Sequence, residues 1–188
     1  MIRTRVGYCG GEAENPTYRS MGDHTEAISI DYDPEILSYQ DLLAYFWKGH
    51  RCTAVNRSVQ YQNAIFYRNE EQRLAAVNSL SGTALAQQVP EGQISTQIRP
   101  LRTFTYAEGY HHKYYLNRTK PVREFLVKIY PDAKELADST VSTRLNAFLG
   151  AGMDLDWTLF LEELPSYGLP PEMKENLRTL AERRRINQ

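Results

Sequence analysis

Gly7-Tyr8-Cys9-Gly10-Gly11, then Asn15-Pro16-Thr17-Tyr18, then His24-Thr25-Glu26-Ala27-Ile28-Ser29-Ile30-Asp31-Tyr32 is the stretch that decides the fold. Its last part alternates: Ala27, Ser29 and Asp31 fall on one side, Ile28, Ile30 and Tyr32 on the other. That is strand period. Ahead of the strand, residues 7–26 hold four glycines, a proline, two tyrosines, a histidine and three glutamates. A loop this rich in permissive backbone and polar groups, set against a strand, reads as a site rather than a connector.

Outward from that stretch the chain alternates between strands and helices. Residues 1–6 read as the end of an element. Asp33-Pro34 turns the chain, and Ser38 caps a helix with Tyr39, Leu42, Leu43, Phe46 and Trp47 on its apolar face. A polar loop runs from His50 to Gln60, followed by a short strand over 64–67. A helix is expected from Glu70 to about Ser81, with Leu74, Ala75, Val77 and Leu80 facing inward and Gly82 ending it. Gln93 to Pro100 alternates again, and Phe104 to Tyr106 leads to a helical turn carrying His111-His112. The class is therefore α/β (α+β): a small mixed sheet with flanking helices.

Pro121 marks a change. Beyond it the pattern is helical: 122–129, 140–149, the stretch around Trp157 to Leu164, and a last helix opened by Pro170-Pro171. The expected division is a core over 1–120 and a helical extension over 121–188. Arg183-Arg184-Arg185 reads as a solvated helix end beside the negative pole of the helix dipole.

Bulk numbers narrow the function. The chain has 188 residues, 41% hydrophobic and 24% charged, with 22 basic against 23 acidic side chains. A net charge of −1 gives no electrostatic footprint for nucleic acid or an anionic membrane. No apolar run approaches the roughly 20 residues of a membrane span, so neither nucleic acid nor membrane is an expected partner. Two cysteines, Cys9 and Cys52, fit a reducing compartment, and a cytoplasmic location is expected. No cofactor motif and no zinc-type ligand spacing occurs, so no cofactor and no metal are expected.

Taken as bare chemistry, Tyr18, Glu26 and Tyr61 are candidates because phenols and a partly desolvated carboxyl at a strand mouth suit acid catalysis. The competing reading of Glu26 is a surface residue closing a loop. The motifs quoted above, joined by Tyr32-Asp33-Pro34, Ser38-Tyr39, Leu42-Leu43, Phe46-Trp47, His50, Gln60-Tyr61, Ala64-Ile65-Phe66-Tyr67, Phe104, Ala107-Glu108 and Tyr110-His111, resemble the A-type peptide methionine sulfoxide reductases. The resemblance covers roughly residues 3 to 116.

That resemblance implies a ferredoxin-like core and reduction of methionine-S-sulfoxide in proteins by thiol chemistry. A cysteine thiolate attacks the sulfoxide sulfur, and Tyr18, Glu26 and Tyr61 match the groups that hold and protonate the oxygen. Thioredoxin is the implied reductant. The sequence departs from the family in three ways. Gly-Cys-Phe-Trp-Gly, which carries the nucleophile and supplies a strand and helix of the core, does not occur in these 188 residues. His-Asp-Pro is replaced by His50-Arg51-Cys52, and Asn56 is the position nearest to the family's loop aspartate. No cysteine follows Cys52.

Cys9 reads as a small loop residue. Cys52, beside His50 and Arg51, is a candidate resolving or stand-in thiol. The expected function is a family reductase that lacks its nucleophile and is inactive as it stands. The alternative is a non-catalytic protein that binds oxidised methionine or a protein partner. A further expectation is an exposed apolar strip beside Ile28 and Ile30, where a sheet neighbour would lie.

Overall fold

The structure, a computed structural model, describes residues 1–150 and 156–186. These form two compact units, Met1–Glu108 and Gly109–Gln188. Pro121, where the sequence turns helical, lies inside the second unit, at the start of a helix.

The first unit is α/β. Strands β1 (Arg3–Cys9), β2 (Thr25–Asp31) and β5 (Phe104–Tyr106) form an antiparallel sheet in the order β2-β1-β5. Strands β3 (Ala64–Tyr67) and β4 (Gln97–Pro100) form a separate parallel pair. Parallel strands need a long crossover. Here it contains α2 (Glu70–Ala86), and α1 (Tyr39–Lys48) packs beside α2. The sheet content is thus shared between two small ladders.

Several local outcomes differ from the sequence reading. What looked like a stub over 1–6 is a seven-residue strand that continues through Gly7. A Cβ at Gly7 would collide with the Thr105 carbonyl and the Phe104 ring, so glycine is what lets β5 lie this close. Helix α2 does not stop at Gly82 but runs to Ala86. The space around Gly82 is open, and an exposed helical glycine costs only about 1 kcal/mol relative to alanine. Its buried residues are Ala76 and Ala84, whereas Leu74 and Val77 are exposed. Small residues on this face allow close packing, and Trp47 of α1 donates through Nε1 to Ser79 Oγ (2.9 Å). Only Gln97–Pro100 of the alternating segment 93–100 is strand, because Glu91–Gln93 closes a 3-10 turn first.

Ser38 caps α1 as its sequence suggests. Its hydroxyl accepts from the Asp41 amide, and Asp41 accepts from the Ser38 amide, a reciprocal capping box. Leu43 and Trp47 point into a core with Cys52, Ile65 and Ala76. Strand β2 is the edge of its sheet, and Ile28 is 61% exposed while Ile30 is half-buried.

The second unit is helical: α3 (Tyr114–Asn117), α4 (Lys120–Ile129), α5 (Ala133–Asp138), α6 (Thr140–Gly150), α7 (Trp157–Glu163) and α8 (Pro171–Ile186). Leu116, Leu126, Leu145, Phe148, Trp157 and Phe160 are among the residues of its core. Each side chain of this kind, fully buried, contributes about 1.5–3 kcal/mol of transfer free energy. The end of α8 is not purely solvated, since the Arg184 guanidinium lies over the Trp157 ring at 5.4 Å.

Candidate active site

The cluster is built on β2 and on two loops. Thr25 begins β2 and is buried. Its hydroxyl donates to the Val59 carbonyl (3.0 Å) and accepts from Gln62 Nε2 (2.5 Å). These bonds pin the 3-10 turn Val59–Tyr61 to the strand mouth. Asn56 secures the same turn by donating to the Tyr61 carbonyl (3.0 Å) and accepting from the Ser58 amide (3.1 Å). The position nearest to the family's loop aspartate therefore holds backbone here.

The loop before β2 is fixed by its own polar groups. Asp23 accepts from the amides of Glu12 and Ala13, and these bonds hold its carboxyl below the usual range, with Ala13 contributing most. Buried His24 bonds through Nε2 to the Ala13 carbonyl (2.9 Å), so its role is to close the loop. Glu108 carries the loop toward the sheet. Its Oε2 accepts from the Tyr8 hydroxyl (2.5 Å) and its Oε1 from the Tyr18 amide (3.1 Å).

Tyr18, Glu26 and Tyr61 come together. The hydroxyls of Tyr18 and Tyr61 are 3.2 Å apart. Glu26 joins them through Gln60, whose Nε2 donates to Glu26 Oε1 (2.7 Å) and to the Tyr61 hydroxyl (3.0 Å). Both phenols are partly exposed and Glu26 is half-buried, so the cluster opens to solvent. The Tyr61 phenol is pushed above its usual value, chiefly by the bond with Tyr18, then by partial desolvation and by the Tyr18 and Glu26 charges. The Gln60 bond acts in the opposite direction. The Tyr61 phenol therefore remains a protonated donor at neutral pH.

The two thiols lie elsewhere. Cys9 pairs with Thr25 across the ladder, and Tyr8 pairs with Glu26. Side chains alternate along a strand, so Cys9 points to the face opposite Glu26. Burial pushes its thiol up to about 12. Cys52 is 0% exposed, packs in the α1–α2 core, and donates to Gln87 Oε1 (3.1 Å). Neither thiol is hydrogen-bonded to Tyr18, Glu26 or Tyr61. His50, two residues before Cys52, bonds the Phe46 carbonyl and Thr96 and stacks on Trp47. His111 lies in a 3-10 turn of the second unit, and His112 follows that turn rather than sitting on a helix. Among the described residues no three His, Cys, Asp or Glu side chains converge as metal ligands.

Sequence reasoning missed the Gln60 side chain as part of the cluster. Its signal was only its place beside Tyr61. Glu108 belongs to a quoted motif, but its bonds to the Tyr8 hydroxyl and the Tyr18 amide follow only from the fold.

An α/β unit thus gathers two phenols and a carboxyl at one strand mouth. Comparison with known proteins gives the family. Residues 1–144 match the family model described as peptide methionine sulfoxide reductase. A Drosophila melanogaster peptide methionine sulfoxide reductase is 38% identical over 178 residues, which is 93% of this chain and 69% of that protein. Peptide methionine sulfoxide reductase A5 of Oryza sativa subsp. japonica is 37% identical over 154 residues, covering 79% of this chain and 59% of that one. Methionine sulfoxide reductase A of Corynebacterium diphtheriae superposes with a TM-score of 0.53 at 28% identity, covering 63% of each chain. The chain belongs to the peptide methionine sulfoxide reductase family, a family of oxidoreductases.

Proposed function

We propose that Tyr18, Glu26 and Tyr61 form the oxygen-holding side of a site for methionine-S-sulfoxide in proteins or peptides. The observation that supports it is the continuous hydrogen-bonded chain Tyr18–Tyr61–Gln60–Glu26. A sulfoxide oxygen gains negative charge as sulfur is attacked, and preorganised hydroxyl donors stabilise that charge. Glu26 supplies the proton with which the oxygen departs.

The reaction of this reading conserves its atoms. A thiol sulfur attacks the sulfoxide sulfur and the oxygen passes to the thiol, giving methionine and a sulfenic acid. A dithiol then returns the sulfenic acid to thiol, releasing water and becoming a disulfide. Thioredoxin fits that role by family analogy. The free state of both cysteines supports a reducing, cytoplasmic setting. Among the described residues no helix is long and apolar enough to cross a membrane.

Burial of Cys9 and Cys52 favours binding without turnover for the 188 residues alone. In that state the chain is a receptor for oxidised methionine. Cys52 serves as a stand-in or resolving thiol only if the α1–α2 core opens around it.

The test is to titrate the chain with a methionine-S-sulfoxide peptide while following the Tyr18, Glu26 and Tyr61 signals by NMR, then to add dithiothreitol and assay methionine. Perturbation of those three signals without turnover is expected. No perturbation overturns the reading. Turnover that survives Cys9→Ser and disappears in Cys52→Ser assigns the chemistry to Cys52.

A further inference from the structure

We infer that Gln62 is a positioning residue: by donating to Thr25 it aims the single Thr25 hydroxyl proton at the Val59 carbonyl, and so latches the turn that carries Tyr61 onto the mouth of β2. The value of that latch for a ligand rests on the sulfoxide reading, whereas its hydrogen-bond direction stands apart from it.

Three residues form a closed ring. The Gln62 backbone amide donates to the Val59 carbonyl (3.3 Å), the Thr25 hydroxyl donates to the same carbonyl (3.0 Å), and Gln62 Nε2 donates to the Thr25 hydroxyl oxygen (2.5 Å). Chemistry fixes the direction of the ring. A carbonyl oxygen only accepts, and a threonine hydroxyl has one proton. That proton is therefore spent on Val59. The Gln62 atom facing the hydroxyl oxygen must then be a donor, which the NH2 group is and the amide oxygen is not. Thr25 is 2% exposed, so bulk water does not stand in for either partner.

The ring decides where Tyr61 stands. Asn56 holds the turn together from within, through the Tyr61 carbonyl and the Ser58 amide, but neither bond reaches β2. Among the described residues, Thr25 to Val59 is the one hydrogen bond between β2 and the backbone of Val59–Tyr61. Gln60 and Glu26 meet only through their side chains. Tyr61 falls between Val59 and Gln62, the two residues that the ring fastens, and its hydroxyl lies 3.2 Å from that of Tyr18. Release of Val59 lets the turn shift as an intact piece and parts the two phenols.

One substitution reverses the ring. Gln62→Glu keeps the shape and puts an oxygen where Nε2 was. A carboxylate only accepts, so it draws the Thr25 proton away from Val59. Gln62→Met removes the donor yet leaves the Thr25 proton to Val59. The isosteric change should therefore do more harm than the methionine, the reverse of what packing alone dictates.

The experiment starts on the 15N,13C-labelled wild-type chain without ligand. The Thr25 hydroxyl proton should appear as a slowly exchanging signal with a nuclear Overhauser contact to the Gln62 side-chain amide. A freely exchanging Thr25 hydroxyl overturns the inference. In Gln62→Glu at neutral pH the Gln60 backbone amide, which shares the Val59 peptide bond, should shift, and the response of the Tyr61 ring to Tyr18→Phe should vanish. Binding of N-acetyl-methionine-(S)-sulfoxide methylamide should weaken by about tenfold in Gln62→Glu, the scale of one hydrogen bond, and by less in Gln62→Met. Thr25→Val should match Gln62→Glu, and Thr25→Ser, which restores the hydroxyl, should bind as wild type. If Gln62→Glu harms a folded chain no more than Gln62→Met does, the inference is overturned. If Gln62→Glu does not fold, the wild-type hydroxyl signal and the contrast of Thr25→Ser with Thr25→Val decide. A wild-type chain that shows the hydroxyl contact yet binds no sulfoxide keeps the latch and removes the sulfoxide reading.

Discussion

The hydroxyl oxygens of Tyr18 and Tyr61 stand 3.2 Å apart, although 43 residues separate them in sequence. One comes from the loop before β2 and the other from a turn held on the start of β2 by Thr25. Two loops thus meet at one strand mouth, the first fastened to β1 through Glu108 and the second to β2 through Thr25.

This closeness makes the two phenols interdependent. Tyr18→Phe and Tyr61→Phe should each weaken methionine-S-sulfoxide binding by about tenfold, or about 1.4 kcal/mol. The double substitution should cost less than the sum, because each single change already breaks the shared hydroxyl bond. Calorimetric titration of the three variants measures the coupling. Strict additivity would mean that the phenols act independently.

Glu108 fastens the Tyr18 loop to β1 through Tyr8. Tyr8 is 1% exposed, so Glu108→Ala takes an acceptor from a buried hydroxyl. The expected loss is about 1–3 kcal/mol of stability in urea denaturation. Tyr8→Phe removes the same bond with its buried donor and should cost less. Sulfoxide affinity should fall in Glu108→Ala, since the Tyr18 backbone loses its hold.

Cys9 gives stability an alkaline limit. Its thiol is raised from an ordinary value of 9.0 to about 12 by burial, partly opposed by Arg99. Above pH 9 the unfolded chain releases this proton while the folded chain keeps it. The contribution is complete below pH 9 and is lost as pH rises from 9 toward 12. Denaturation midpoints for wild type and Cys9→Ala at pH 8 and pH 10.5 test it. The wild type should lose more stability between those two values than the variant does.

Gly10 has a φ of +86°, and an added Cβ would lie 2.6 Å from the Phe66 ring. Its carbonyl also accepts from Arg99 Nη2 (2.6 Å), which ties the end of β1 to β4. Gly10→Ala should therefore destabilise the chain by about 1–3 kcal/mol, from backbone strain together with the clash. Guanidinium denaturation measures the loss. An unchanged midpoint would show that the turn relaxes without cost.

What the sequence determined by itself was local or motif-borne. Alternation over Ala27–Tyr32 marked β2, Ser38 marked the α1 cap, and Pro171 opened α8. The motifs around Tyr18, Glu26 and Tyr61 named the family and the three residues that converge. Local signals suffice there because hydrogen-bond period and capping chemistry act within a few residues. The end of α2 was misread because whether Gly82 stops a helix depends on surroundings, and here the surroundings are open.

Tertiary structure decided the rest. The Gln60 amide bridges Glu26 and Tyr61 only once β2 and the Val59–Tyr61 turn are packed together. Cys52 sits beside Arg51 and His50 in sequence, a setting that suggests a reactive thiol, yet packing of α1 on α2 buries it completely. Reactivity and proton placement depend on which groups meet across long loops. That pairing is settled by the packing of the whole unit and is not written in the spacing of residues along the chain.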